Sequence, residues 1–64
     1  MPIVTIQITR DGVTTAQKNQ LIKGTTDLLQ TVLHKDPALT FVLIEEVDTD
    51  NWGVSGKSVT DRRR

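Results

Sequence analysis

The chain has 64 residues, 36% of them hydrophobic and 25% charged, which allows one domain over residues 1–64 and leaves a lone copy near the lower size limit for an independent core. It has no cysteine, so neither a disulfide nor a thiolate metal site can compensate, and oligomerisation is the remaining common route to stability. Eight basic residues balance eight acidic ones. This neutrality argues against general nucleic-acid binding, and the absence of a long apolar run or a signal-peptide pattern leads us to expect no membrane partner and a cytoplasmic location.

From the N-terminus, Val4, Ile6 and Ile8 alternate with Thr5, Gln7 and Thr9, which predicts a half-buried strand over Ile3–Thr9. Asp11-Gly12 is a turn signal, and Thr14 through Gln17 fits a capping box. Leu21, Ile22, Thr25, Leu28, Leu29, Val32 and Leu33 then recur at helical spacing, predicting one apolar stripe on a helix from about Thr15 to His34. Gly24 inside it is either a tolerated glycine or the mark of a close helix contact. Asp36-Pro37 ends the helix. The unbroken run Thr40 to Ile44 predicts a strand buried on both faces, finished by Glu45, Glu46 and Val47. Asp48 to Asn51 is polar, Trp52 through Gly56 suits a hairpin, and Arg62 to Arg64 reads as a solvated tail. No internal repeat is present. Strand, helix and strand make a βαβ unit whose two strands should run parallel. One helix cannot cover both faces of that sheet, so subunits should pair and stack their sheets.

Pro2 poses a chemical question. Within a chain its nitrogen is an amide with no N–H to offer a sheet. If Met1 is removed, that nitrogen becomes a secondary amine on a rigid ring, able to take up and return a proton. A strand-edge role and a base role are both open on the residues alone.

Four stretches in order carry a resemblance: Met1-Pro2 opening a strand, Gln17-Lys18 in the first helical turn, Ile44 to Val47 closing the second strand, and Asn51 to Gly56. In a chain of this length they resemble the 4-oxalocrotonate tautomerase family almost end to end. The resemblance implies an α+β fold, a βαβ unit with a C-terminal hairpin, whose parallel strands pair across subunits of a homohexamer built as a trimer of dimers. It implies a tautomerase or isomerase of small 2-oxo (enol) acids that uses no metal and no organic cofactor. In that family the mature N-terminal proline takes a proton from an enol hydroxyl and delivers it further along the conjugated chain, which makes Pro2 the expected catalytic residue. Such an amine must be largely neutral at working pH, and apolar walls favour its neutral form. Trp52 matches the family's aromatic wall and is expected at a subunit contact near the Pro2 nitrogen.

The match is incomplete at two positions. Family members acting on dicarboxylates use an arginine after the glycine of the first turn; here Val13 follows Gly12, and a turn one residue longer puts Arg10 before the glycine. They use a second arginine in the second strand, where Phe41 stands. Neither valine nor phenylalanine can make a bidentate charged pair with a carboxylate. Arg10 either binds substrate from its shifted position or is a turn arginine in solvent. Phe41 either enlarges the apolar wall of the substrate pocket or packs against the helix. Two other functions stay open. One is a hydratase- or dehalogenase-like activity with protonated Pro2 and a water-activating carboxylate from Glu45, Glu46, Asp48 or Asp50, residues otherwise read as solvated strand-end charges. The other is a non-catalytic subunit of a tautomerase-like assembly.

Overall fold

Residues 1–64 are described in full by a computed structural model. The alternating segment forms strand β1 (Ile3–Thr9). Gly12 turns the chain with φ of 82°, a left-handed value that a glycine takes without a Cβ penalty. Helix α1 (Thr15–Leu33) then starts on the anticipated capping box: the Thr14 hydroxyl accepts from the Gln17 N–H at 3.1 Å, and the Gln17 side chain accepts from the Thr14 N–H at 3.0 Å. The helix stops one residue earlier than expected. His34 adopts a left-handed φ of 56° and its N–H caps the Gln30 carbonyl at 2.9 Å. Asp36 caps a single 3-10 turn, Pro37–Leu39, and the chain enters strand β2 (Phe41–Val47).

β2 lies parallel to β1, in register from Ile3 opposite Phe41 to Thr9 opposite Val47. A second 3-10 turn, Thr49–Asn51, occupies the polar stretch. β3 (Gly53–Val54) and β4 (Lys57–Ser58) form the antiparallel hairpin. Its turn residues Ser55 and Gly56 both have positive φ, 53° and 84°, the pattern of a type I′ turn that matches strand twist. Ser58 accepts from the Asp61 N–H at 3.1 Å and caps a final short helix, α2 (Val59–Arg62). Neither helix is long and apolar enough to cross a membrane.

One expectation needs correction and a second needs refinement. β2 was expected to be covered on both faces, but within the chain only one face is. Val4, Ile6 and Ile8 of β1 with Val42, Ile44 and Glu46 of β2 form the half-buried face, to which Lys18 ties α1 through Glu46. The opposite face carries Ile3, Phe41 and Leu43 in the open, with Phe41 47% and Leu43 44% exposed. One helix spans only one side of a two-stranded sheet. The helical stripe is similarly divided: Thr25 and Leu29 are half-buried, while Leu28, Val32 and Leu33 stay exposed. Second, the arginine tail is solvated, as expected, but not unattached. Arg62 ends α2, and Arg63 makes a bidentate pair with Asp11 across 52 residues of sequence, its Nη1 donating to Oδ1 at 2.7 Å and Nη2 to Oδ2 at 3.3 Å.

Candidate functional site

The parallel register decides where the expected site residues fall. At the N-terminal end of the sheet, the Pro2 carbonyl accepts the Phe41 N–H at 3.0 Å, which holds the half-buried proline beside β2. Ile3 and Phe41 are register partners, so both side chains stand on the open face at this end of the sheet. Met1 is 80% exposed, so its removal costs no core contact.

Trp52 and Arg10 lie at the other end. Trp52 joins Gln7, Val47, Asn51 and Gly53 around a shallow cavity of about 290 Å³. Gln7 is five residues beyond Pro2 along β1, so at the usual strand rise the indole's neighbourhood is on the order of 15 Å from the proline. One chain therefore brings Pro2 and Phe41 together, and Trp52 near Arg10's end, without joining the two groups.

Arg10 makes its contacts within the turn region that follows the two strands. Its Nε meets Asp48 at 3.0 Å, its Nη2 donates to the Glu46 carbonyl at 3.2 Å, and its backbone N–H donates to the Val47 carbonyl at 2.8 Å. The four acidic candidates for water activation are likewise engaged. Glu45 accepts from the Gln7 amide at 2.7 Å on the open face, Glu46 meets the half-buried Lys18 ammonium at 2.6 Å, Asp48 holds Arg10, and Asp50 accepts from the Thr60 hydroxyl. Glu46 is thus no solvated strand-end charge: its side chain is largely shielded beneath α1. Asp11 is held at about 2, well below the usual carboxylate range, first by the hydrogen bond from Arg63 and then by that from Thr9. Its partner Arg63 is pushed up by the same contact. No cluster of His, Cys, Asp and Glu side chains with a metal-holding arrangement is present.

A family model described as Tautomerase enzyme matches residues 2–62. The chain belongs to the tautomerase family. Among its tautomerase relatives, Probable tautomerase K2 of Dickeya dadantii is 61% identical over 64 residues, covering all of this chain and 96% of that protein. A Probable tautomerase of Helicobacter pylori is 42% identical over 66 residues, covering all of this chain and 97% of its own length. The crystal structure of DmpI from Helicobacter pylori matches the fold with a TM-score of 0.90 at 42% identity, over 97% of this chain and 96% of that one. YwhB, a homologue of 4-oxalocrotonate tautomerase, matches with a TM-score of 0.86 at 30% identity, over 94% and 97% of the two chains. The βαβ unit followed by a short hairpin is thus a tautomerase fold, as the sequence resemblance implied.

The sequence reading missed the Lys18–Glu46 pair, the Gln7–Glu45 bond and the Asp11–Arg63 link. The Gln7–Glu45 bond follows once the strand register is known, because the two residues face each other across it, while the Lys18–Glu46 pair depends on how α1 packs on the sheet. The third has no local signal.

Proposed function

We propose that residues 1–64 form one cofactor-independent keto–enol tautomerase domain acting on small 2-oxo acids in their enol form, with Pro2, freed by removal of Met1, as base and then acid. The observation that carries this reading is the placement of Pro2. Its carbonyl accepts the Phe41 N–H, so a free ring nitrogen has a fixed position at this end of the sheet, and the residue's half-burial favours the neutral amine. The neutral amine removes the enol hydroxyl proton, and the resulting ammonium returns it to carbon. Phe41 supplies an apolar wall next to Pro2, and Trp52 closes the pocket from a neighbouring subunit, because within one chain the two lie too far apart to share a small substrate. The assembly is a homohexamer. With Arg10 engaged by Asp48 and the Glu46 carbonyl, carboxylate anchoring is weak, which favours an aryl enol over a dicarboxylate. A hydratase-like step has less support, since each candidate carboxylate already has a hydrogen-bonding or ionic partner.

The test is tautomerisation of an arylenolpyruvate by protein whose intact mass confirms loss of Met1. Pro2→Ala should lower kcat/KM by about 10²–10⁴, the usual worth of a positioned general base. Equal rates for the two proteins, or no turnover above buffer, would remove the proposed role.

A further inference from the structure

The C-terminal segment is anchored at two places, and Trp52 is a partner at the first of them. At one, the Val59 N–H donates to the Trp52 carbonyl at 2.8 Å. The neighbouring Thr60 hydroxyl gives its proton to Asp50 and therefore accepts from the Thr49 hydroxyl, 2.6 Å away. At the other, Arg63 grips both oxygens of Asp11, which the Thr9 hydroxyl also approaches. The chain from Asp11 back to Arg10 is in turn fastened to Asp48, and Asp48 leads into the turn whose Thr49 carbonyl accepts the Trp52 N–H at 3.4 Å. These contacts form a closed ring: Trp52, Val59, Arg63, Asp11, Arg10, Asp48, Thr49 and back to Trp52.

We infer that Arg63 is a positioning residue: by pairing with Asp11 it closes this ring and so sets where the Trp52 indole stands at the pocket wall. The inference rests on the tautomerase reading for its kinetic consequence, but not for its structural one. α2 has four residues, far short of a helix that holds itself together in water. Without a tether at its far end, the segment that supplies the Val59 N–H to Trp52 is held only by that bond and by the Thr60 contacts. The Arg63–Asp11 pair is exposed on both sides, so it adds little to global stability. Its bidentate geometry nevertheless restricts orientation, which a single-point contact would not. Loss of the pair should therefore move Trp52 while leaving the fold in place.

Trp52 is the only tryptophan, and the chain has no tyrosine, so intrinsic fluorescence reports on this residue alone. In Arg63→Ala and in Asp11→Asn, quenching of Trp52 by acrylamide should rise, and KM for an aryl enol should rise about 2–5-fold with a smaller change in kcat. Far-UV circular dichroism should match the parent. Reversing the pair, Asp11→Arg with Arg63→Asp, should restore both quenching and KM. Arg64→Ala, which removes one charge from the same segment, should change neither. Parental quenching in both single variants overturns the inference, as does a reversed pair that folds without restoring it, or an Arg64→Ala variant that behaves like Arg63→Ala. If the parent protein turns over no enol, the tautomerase reading fails by itself, and the quenching comparison still decides the role of Arg63.

Discussion

Asp11 shows how a single exposed carboxylate can acquire a fixed ionisation state. Arg63 and Thr9 both donate to it, and both donations favour the charged form. Its pKa of about 2 in the folded chain lies below the ordinary value of 3.8. The linkage has one sign: the contribution of the pair is present above the unfolded pKa and is lost as pH falls through the folded one. The window is therefore from 3.8 down to about 2. Carboxyl-carbon NMR should find Asp11 titrating near the lower end of that window in the parent, and part-way back toward 3.8 in Arg63→Ala, where Thr9 still donates. An Asp11 midpoint unchanged by that substitution would mean that Arg63 does not reach it in solution. Pro2 stands in contrast. Its importance comes from chemistry at a nitrogen that is an ordinary amide until Met1 is removed, and the residue type at the second position was enough to raise that question.

At the scale of elements, α1 carries an internal glycine with open space around it. A Cβ built at Gly24 meets nothing within 4 Å in the chain. Gly24→Ala should stabilise the protein by up to about 1 kcal/mol through helix propensity, read from the urea midpoint at fixed protein concentration. A loss of stability instead would place a neighbouring subunit against that position. The elements themselves were legible because their signals are local: period-two alternation in β1, the Thr14–Gln17 capping box, and the glycine-rich stretch Trp52 to Gly56 suited to a hairpin. Two features were not. The unbroken run through Phe41 and Leu43 reads the same whether this chain or another covers it. Asp11 and Arg63 are 52 residues apart, and nothing near either residue announces the other. Of the site, the sequence supplied Pro2 and Trp52 as candidates but not their separation, which depends on strand register.

As a whole the chain is drawn out. Its Cα radius of gyration is 14.8 Å. A compact domain of this length would have one of about 11 Å. Its accessible surface is 4872 Å². The usual scaling for a folded monomer of its mass gives about 4,100 Å². Not one residue reaches full burial, and the exposed apolar side chains include Ile3, Phe41 and Leu43 on the open sheet face and Val32 on the helix. Such a chain should depend on association for its stability. Its apparent unfolding midpoint should rise with protein concentration, and Leu43→Asp, which puts a charge on the open face, should shift sedimentation toward smaller species and lower that midpoint. A concentration-independent midpoint with a folded monomer would contradict this. The separation of Pro2 from Trp52 along β1 also makes an inheritance-like prediction. If each pocket draws its proline and its indole from different chains, two defective alleles can repair one another. Pro2→Ala and Trp52→Ala subunits, each poorly active alone, should regain activity when co-expressed, because about one quarter of randomly assorted pockets would receive an intact residue from each parent. Were both residues drawn from one chain, every pocket in the mixture would inherit one defect or the other, and mixing would restore nothing.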